Sequence, residues 1–275
     1  MANRFSNQVV VITGASSGIG EALAFEIAKQ GGKLALLARR TDRLGDVEAQ
    51  IKRIGGEAIA VRCDVTSESD LAAAAETVKK RFGKIDVLVV NAGYSVAGNF
   101  EWLKMADYRK QMETNVFGAL GTTYAFLPYL KESKGTVVPI GSVMSYLAIP
   151  GTSPYAMSKF ALRAWFEAVE GELKKLGISM TFIAPGFIAT EIRKVDNAGH
   201  FDSSVTEDVP AWIQMPSEKA ARIIAKAIAS KKRLQIVTQH AHLIIFVARF
   251  MPWILRLATR LGVKRERGNV RPGSH

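Results

Sequence analysis

The chain has 275 residues, 48% hydrophobic and 8% aromatic, which suits one large α/β domain or two small ones and excludes wholesale disorder. A single cysteine excludes an internal disulfide framework, and together with four scattered histidines it offers no zinc pattern, so no metal is expected. The net charge of +12 is concentrated after residue 230, where ten basic residues and one acid lie, so the body is not a basic protein.

The first motif is a glycine-rich loop between a predicted strand and a predicted helix. Gln8–Thr13 is a short β-branched run typical of a strand buried on both faces, and Glu21–Gln30 is a good helical sequence. Glycines in this context permit close backbone approach, and the helix N-terminus offers free N–H groups to a pyrophosphate. The loop is therefore a plain turn or a dinucleotide cradle, whose candidate binding residues are Gly14, Ser16, Ser17, Gly18, Ile19 and Gly20.

The second predicted strand, Lys33–Ala38, ends at a pair of arginines. A cofactor with a free ribose 2′-hydroxyl would call for an acid here, whereas Arg39 and Arg40 suit a 2′-phosphate. The alternative is that both arginines merely solvate the start of the helix predicted over Thr41–Ile54. The pair favours NADP(H) as the cofactor.

Two further predicted strand ends carry candidate binding residues. After the strand Ala58–Arg62 come Asp64 and Val65, and Asp64 would either hold an adenine ring or cap the helix that starts near Ser67. Val87–Val90 reads as the next buried strand, and small residues after it would let the backbone pass close to a cofactor. These residues are Asn91, Ala92 and Gly93.

The middle of the chain supplies an asparagine and a serine. Met105–Leu130 is mostly helical by pattern and contains Asn115, which must be exposed or have a specific partner, because asparagine is mildly unfavourable inside a helix. The fifth predicted strand, Thr136–Ile140, ends just before Ser142. Ser142 precedes Tyr155 by thirteen residues, so a strand end and a helix can present a hydroxyl and a phenol to one crevice.

Tyr155 and Lys159 stand four residues apart. Apolar residues at helical spacing follow over Phe160–Leu173, so both side chains should share one helix face. An ammonium close to a phenol favours the phenolate and lowers its pKa from ~10 towards working pH. Such a phenol can give or take a proton, as carbonyl reduction and alcohol oxidation require. Taken alone, the pair would be an ordinary surface pair, and the other motifs decide against that.

Alternating strands and helices without an internal repeat predict one doubly wound parallel sheet of the α/β class. Ile178–Ile183 is its sixth strand. Ligands of such sheets lie outside the carboxyl ends of the strands, where all the candidate residues fall. We expect a catalytic domain over residues 1–238, with an irregular substrate loop at about 187–216, and a basic, apolar helical extension over 239–275.

With these motifs in order, the chain resembles the short-chain dehydrogenase/reductase family from about Gln8 to Thr190. The resemblance implies a Rossmann fold and an NADP(H)-dependent oxidoreductase that interconverts a ketone and a secondary alcohol. It implies that Tyr155 is the general acid/base and that Ser142 hydrogen-bonds the substrate oxygen. It also implies that Lys159 lowers the pKa of Tyr155 and holds the nicotinamide ribose.

Further roles follow from the same resemblance. Asn115 would position a water in the proton relay, and Ile188 and Thr190 would contact the nicotinamide carboxamide. Pro185 and Gly186 belong to the same cofactor-binding motif. A non-catalytic dinucleotide-binding regulatory or scaffold protein, or a reductase of a small soluble carbonyl, is the alternative function.

The C-terminus departs from family members that reduce fatty-acyl thioesters, which commonly end with a strand followed by Asp-Gly-Gly. Here Arg233–Val237 resembles that strand, but Thr238-Gln239-His240 follows, and then about 35 further residues. The layout looks more like the branch holding hydroxysteroid dehydrogenases and 3-ketodihydrosphingosine reductases. That branch implies a hydrophobic, lipid-like small-molecule substrate.

The extension contains an apolar, arginine-bearing stretch. Leu243–Leu261 is 19 residues long but carries three arginines and a central Pro252, which opposes a membrane-spanning helix and can open a second helix. A narrow cationic stripe beside a wide apolar face predicts peripheral contact with an anionic membrane through 243–267. The alternative is packing on the domain or within a homodimer or homotetramer.

Nucleic acid is not an expected partner, because the aromatic residues of the extension are not interleaved with its charges. The first predicted strand begins within eight residues of Met1, which leaves no room for a signal peptide. A cytoplasmic location is therefore expected, with the inner face of a membrane as the site of any peripheral contact.

Overall fold

A computed structural model describes residues 3–190 and 210–263. The central part of the expected substrate loop, 191–209, and the basic end of the extension, 264–275, lie outside the described residues. The strands are β1 (Val9–Thr13), β2 (Lys33–Ala38), β3 (Glu57–Arg62), β4 (Val87–Val90), β5 (Thr136–Pro139), β6 (Ser179–Met180), β7 (Phe182–Ala184) and β8 (Leu234–Ile236). The helices are α1 (Gly18–Lys29), α2 (Thr41–Arg53), α3 (Glu68–Phe82), α4 (Met105–Met112), α5 (Gly118–Ser133), α6 (Ser153–Lys175), α7 (Ser217–Ala229), α8 (Gln239–Phe250) and α9 (Pro252–Val263).

The six strands β1 to β6 form a parallel sheet in the order β3-β2-β1-β4-β5-β6. The predicted sixth strand is divided at Thr181 into β6 and β7, and β7 pairs in parallel with β8. A bridge between Ile140 and Ile183 continues the sheet from β5 to β7. The predicted doubly wound parallel sheet is thus confirmed, and its strand order reverses between β1 and β4, where such sheets leave a crevice for ligands.

Helices cover both faces of the sheet because successive strand residues point to opposite sides. On one face, Val10 and Ile12 of β1 contribute to a buried core that includes residues of α1, α2 and α7. On the other face, Val9 and Val11 belong to a core that includes residues of α3, α5 and α6. A strand buried on both sides needs a continuous apolar run, which is what the sequence of β1 provides.

Two helices differ from their predicted extents in ways that matter for the site. α6 begins at Ser153, with Pro154 in its first turn, so Tyr155 and Lys159 lie in its first two turns. The helix predicted over Met105–Leu130 is interrupted by a π-helical turn at Glu113–Phe117. Asn115 lies inside that turn. Such turns are frequent at functional sites.

The extension forms two helices, and Pro252 opens the second, as predicted. α8 packs on the domain, where its Ala241 is fully buried beside Val143 and Met144. These two residues belong to the short 3₁₀ turn Val143–Ser145 that follows β5. Within residues 3–190 and 210–263, none of the helices combines the length and apolar character needed to cross a membrane.

Candidate active site

A cleft of about 220 Å³ opens at the carboxyl ends of β1, β2, β3 and β4. Thirteen of the predicted cofactor-binding residues line it: Gly14, Ser16, Ser17, Gly18, Ile19, Arg39, Arg40, Asp64, Val65, Asn91, Ala92, Gly93 and Thr190. These residues come from five separate stretches of sequence. The cleft lies at the switch in strand order, where a dinucleotide would be expected to bind.

The glycine loop is held tightly against the end of β4. Asn91 Nδ2 donates to the carbonyl oxygens of Thr13 at 2.9 Å and Gly14 at 3.2 Å. The Thr13 hydroxyl accepts from the backbone N–H groups of Asn91 and Ala92, at 2.9 and 3.0 Å. A Cβ on Gly20 would collide with the Gly14 carbonyl oxygen and lie 2.7 Å from Asn91 Nδ2. Gly20 itself is buried behind the loop, and it leaves the cradle open to a pyrophosphate.

The two arginines after β2 occupy different environments. Arg40 is half-buried, and its guanidinium donates to Ser17 Oγ at 2.7 Å and to Ser16 Oγ at 3.2 Å. Arg39 is exposed at the edge of the cleft. Arg40 therefore ties the glycine loop to the end of β2, and both positive charges stand beside the cradle. The donors present fit a dinucleotide, and the cations fit an additional phosphate.

Asp64 and Cys63 lie on the wall formed after β3. Asp64 Oδ1 accepts from the N–H of Thr66 at 3.0 Å and from its hydroxyl at 2.8 Å. Ser67 caps α3 instead, accepting from Asp70 N at 3.2 Å, so the alternative reading of Asp64 as the helix cap is wrong. Burial raises the pKa of the Cys63 thiol to about 11, which keeps it protonated and unreactive.

Lys159 is 6% exposed, and its ammonium donates to the Ile140 carbonyl oxygen at 2.9 Å. Burial lowers the pKa of Lys159 to about 8. Its Nζ lies 5.7 Å from the centroid of the Tyr155 ring, so the two side chains share a helix face as the spacing predicted. Tyr155 is half-buried beside the apolar cluster that contains Val143, Met144 and Ala156.

Asn115 has specific partners and is buried, which settles the alternative that the sequence left open. Its amide brackets the backbone of Tyr94, accepting from the N–H at 3.2 Å and donating to the carbonyl at 3.1 Å. Nδ2 also donates to Ser158 Oγ at 3.0 Å, and the Ser158 hydroxyl donates to the Tyr155 carbonyl at 2.7 Å. Asn115 therefore supports the turn of α6 that carries Tyr155.

Ser142 stands immediately before the 3₁₀ turn, and the residue is 8% exposed. Its hydroxyl oxygen accepts from Met144 N at 3.1 Å, and its own N–H donates to Ser145 Oγ at 3.2 Å. The next residue, Val143, donates its N–H to the Pro185 carbonyl at 2.7 Å. Ser142 and the 3₁₀ turn Val143–Ser145, together called the serine turn, are thus joined directly to the Pro185-Gly186 segment.

The segment after Pro185 runs from the serine turn towards the glycine loop. Ile188 is buried in the core and forms a parallel bridge with Met215. Thr190 lies against Gly18, where a Cβ built on the glycine would meet the Thr190 side chain at 3.2 Å. Eight predicted site residues are not among the described residues that line this cleft: Gly20, Asn115, Ser142, Tyr155, Lys159, Pro185, Gly186 and Ile188.

Sequence reasoning missed several residues of the site. Ala38, Cys63, Tyr94 and Thr114 line the cleft, and the first two could have been found as the residues that end β2 and follow β3. Gln111 is fully buried and accepts from Val96 N at 2.6 Å. Gln111 stands four residues before Asn115, and a second buried amide at helical spacing was the available signal.

These features define a nucleotide-binding α/β protein of the Rossmann type. A family-wide sequence profile described as short chain dehydrogenase matches residues 8–200. An "11-beta-hydroxysteroid dehydrogenase A" of Sesamum indicum is 35% identical over 265 residues, which cover 92% of this chain and 75% of that protein. The chain belongs to the short-chain dehydrogenase family of oxidoreductases and is similar to its hydroxysteroid dehydrogenase-like branch.

Two solved structures show the same fold. An alcohol dehydrogenase from the archaeon Thermococcus sibiricus, complexed with 5-hydroxy-NADP, is 28% identical with a TM-score of 0.71, covering 83% of this chain and 95% of its own. A short-chain dehydrogenase/reductase from Burkholderia phymatum in complex with NAD is 23% identical with a TM-score of 0.77, covering 99% of both chains. The neighbours thus include complexes with either type of dinucleotide.

Proposed function

We propose that this protein is an NADP(H)-dependent oxidoreductase that interconverts a ketone and a secondary alcohol on a hydrophobic substrate. The observation that carries the proposal is the buried Lys159 beside Tyr155, on a helix that packs against the turn of Ser142. A proton-transferring pair at the end of a parallel sheet with a glycine cradle supplies what carbonyl reduction needs from the protein.

Ser142 orients and stabilises the substrate oxygen. Its hydroxyl already accepts from Met144 N, so its own hydrogen is the part of the group suited to a ligand. Donated to a carbonyl oxygen, that hydrogen stabilises the negative charge that develops there during reduction. Tyr155 then delivers the proton to the same oxygen. NADPH, when bound, supplies the hydride.

Lys159 serves the proton transfer and the cofactor together. An ammonium has three donors, and the Ile140 carbonyl uses one, so donors remain for a ribose hydroxyl. Its positive charge beside Tyr155 favours the phenolate form. Asn115 holds the turn of Tyr155 through Ser158, and we assign it the placement of a water that returns protons to the site.

The preference for NADP(H) rests on Arg39 and Arg40. Arg40 is already oriented by two serine hydroxyls at the glycine loop, so little side-chain entropy remains to be lost when a phosphate binds. Arg39 is exposed at the same edge and adds a second positive charge. A 2′-phosphate fits these guanidiniums, whereas a free 2′-hydroxyl would leave their charge unmatched.

The hydrophobic substrate is inferred from the surroundings of the serine turn. Val143, Met144 and Tyr155 lie in one apolar cluster, to which α8 contributes Ala241, Ile244 and Ile245. Apolar walls with a few placed polar groups are typical of small-molecule sites. A lipid-like ketone would bury its body on such a wall while its oxygen meets Ser142.

The test is NADPH oxidation, followed at the nicotinamide absorbance, against matched series of small and hydrophobic ketones. We expect kcat/KM to rise with apolar size, by about tenfold for each one or two added methylenes buried. Turnover limited to small, polar carbonyls would retire the hydrophobic-substrate assignment. Absence of turnover with every ketone, despite NADPH binding, would favour the non-catalytic scaffold.

We also propose that the extension touches an anionic membrane. Five large apolar side chains are exposed along α8 and α9 at alternating spacings of three and four residues: Leu243, Phe246, Phe250, Trp253 and Leu257. Arg249 and Arg256 are exposed among them. Exposed apolar groups beside arginines on two consecutive helices of strong positive charge suit interfacial helices, whereas two such segments in one dimer would repel each other.

Liposome flotation tests the membrane contact with the whole chain. Full-length protein should float with vesicles rich in anionic lipid, and salt should weaken the binding, because each basic residue near the surface contributes ~1 kcal/mol. Phe246→Ser with Trp253→Ser should abolish flotation and leave kcat for a water-soluble ketone unchanged. Equal flotation of both proteins would contradict the membrane contact.

A homodimer or homotetramer is proposed from a second exposed apolar surface. Phe117 and Tyr124 stand seven residues apart on the α5 side, and Met157 and Phe160 lie three apart on α6. Exposed apolar groups at helical spacing on two helices that cover the same face of the sheet suit a helix-to-helix subunit contact. Light scattering of purified protein should give a multiple of the 30.0 kDa chain mass, and Tyr124→Glu should reduce it.

A further inference from the structure

The start of α8 is built against the segment that joins the serine turn to the glycine loop. His240, the second residue of α8, lies with Nε2 3.2 Å from the backbone nitrogen of Phe187. The imidazole stacks on the Phe187 ring, with centroids 5.5 Å apart and planes inclined by 28°. One side chain from the extension thus contacts both the backbone and the ring of Phe187, which lies in the segment 185–190 between the serine turn and the glycine loop.

The hydrogen bond fixes the state of the imidazole. The Phe187 N–H donates, so Nε2 must carry no proton, and the neutral ring then bears its hydrogen on Nδ1. Thr238 Oγ1 lies 3.0 Å from the same Nε2, and in this tautomer its hydroxyl is the donor to the ring. Burial lowers the pKa of His240, which favours the same neutral form.

The chain's C-terminal part packs closely against the start of this segment. Val237 N donates to the Ala184 carbonyl at 3.1 Å, which seats the end of β8 beside the start of the segment. A Cβ on Gly186 would collide with Thr238 Oγ1 and lie 2.7 Å from His240 Nε2. The glycine of the Pro185-Gly186 motif is therefore required by the approach of the chain's C-terminal part.

The segment held in this way connects the proposed chemistry at both of its ends. Its first residue, Pro185, accepts from the N–H of Val143, next to Ser142. Its last residue, Thr190, lies against the glycine loop at Gly18. Between these ends, Phe187 has its N–H fixed by His240 and its carbonyl oxygen by Met215 N, at 2.9 Å.

We propose that His240 is a positioning residue: its acceptor nitrogen holds the backbone of Phe187, and through it the segment 185–190, in the register that the cofactor site requires. The proposal deepens the proposed function and rests on it for its kinetic consequence. His240 touches neither reacting atom, so it acts through the segment. The extension is then a working part of the site, separate from any contact with a membrane.

A matched pair of substitutions isolates the acceptor. His240→Gln keeps a strong acceptor at about the reach of Nε2, whereas His240→Met fills a similar volume and offers only the weak acceptor of a thioether. His242→Ala is the control on the same helix, since its Nδ1 meets the carbonyl of Thr238 one turn earlier and not the segment.

The first measurement is amide hydrogen exchange of peptides covering 185–190 in the protein without cofactor, which is independent of activity. We expect exchange about fivefold or more faster in His240→Met, with His240→Gln and His242→Ala near wild type, because one hydrogen bond is worth about 1 kcal/mol. Equal exchange in the Met and Gln variants would overturn the proposal.

The second measurement is the steady-state kinetics of the same proteins. His240→Met should raise the KM for NADPH by about five- to tenfold, and His240→Gln should restore it, with melting temperatures alike in both. Altered exchange with unaltered KM would sever the segment from the cofactor site and overturn the proposal. Failure of the wild type to turn over any ketone would count against the proposed function alone, since the exchange result stands without it.

Discussion

The cofactor cleft and the apolar wall that Val143, Met144 and α8 form around the serine turn are built by different means. The cleft gathers residues that follow strand ends: the loop from Gly14 to Gly20 follows β1 directly, and Arg39 and Arg40 follow β2. The wall depends on the far end of the chain, where α8 brings Ala241 to Val143 and His240 to Phe187. The cleft is therefore lined by loops whose positions follow from the order of the strands, and the wall by side chains of α8 whose partners lie 50 to 100 residues earlier.

The two regions should differ in how far they tolerate substitutions. A cradle of backbone groups is the same for every dinucleotide, so its glycines allow little change. A wall of side chains can be altered at one residue without moving the sheet, which suits it to choosing a substrate.

Tyr155→Phe should lower turnover by about a thousandfold, because it removes the proton donor and leaves the ring in place. NADPH affinity, measured by fluorescence titration, should stay within a few-fold, since the cleft is made by other residues. Retention of more than about a tenth of wild-type turnover would show that Tyr155 is not the acid/base.

Replacing Arg39 and Arg40 together by alanine should weaken NADPH binding by about a hundredfold and leave NADH binding nearly unchanged. The reason is that charge-assisted bonds to a 2′-phosphate form only with NADPH. Titration of NADPH and of NADH into the same preparation gives the ratio of their two dissociation constants. Equal losses for the two cofactors would mean that the pair shapes the loop, through Ser16 and Ser17, without choosing the cofactor.

Gly20→Ala should weaken binding of both dinucleotides by about ten- to a hundredfold, because its methyl group would displace the Gly14 carbonyl or Asn91. Gly45→Ala is the matched control, since a Cβ at that α2 position meets nothing within 4 Å. The control should raise the free energy of unfolding by about 0.5–1 kcal/mol and leave binding unchanged. Unaltered affinity for both dinucleotides in Gly20→Ala would mean that the glycine loop does not bind the pyrophosphate.

Lys159→Met should stabilise the protein without cofactor while abolishing turnover. The pKa of Lys159 is lowered from 10.5 to about 8, so below pH 8 the folded state carries the full cost of a buried charge. Losing the donor to the Ile140 carbonyl offsets part of the gain, which leaves about 1–2 kcal/mol by urea denaturation at pH 7.

The sign of the pH dependence follows from the direction of that shift. Between pH 8 and 10.5 the unfolded wild-type chain binds more protons at Lys159 than the folded chain, so wild-type stability at this site rises with pH. The advantage of Lys159→Met should therefore shrink across this range. A constant or growing advantage would mean that the buried lysine is not the source of the difference.

Most of the fold could be predicted from the sequence, because its signals are local. The apolar runs of β1 and β4 and the glycine loop before α1 carry their structure in their own residues. The division of the predicted sixth strand at Thr181 was not visible, since it depends on which strands flank each half. The π-helical turn at Asn115 was also missed, although the asparagine itself pointed to a partner.

In the candidate site, the positions of residues that follow strand ends could be predicted, but their side-chain contacts could not. Arg40 could be placed beside the glycine loop by its position after β2, but its bonds to Ser16 and Ser17 could not be foreseen. His240 gave no usable signal, because nothing in the sequence relates it to Phe187, 53 residues earlier. Contacts of this kind become visible when the chain is folded.

In the proposed reaction, hydride passes from NADPH to a carbonyl carbon while Tyr155 supplies the proton. The direct test is to incubate the enzyme with a hydrophobic ketone and NADPH deuterated at the transferring position, and to measure the mass of the alcohol by mass spectrometry. We expect an alcohol heavier by one deuterium bound to carbon, formed by the wild type and nearly absent with Tyr155→Phe. NADPH consumed without deuterium in the alcohol, or equal product from both proteins, would contradict it.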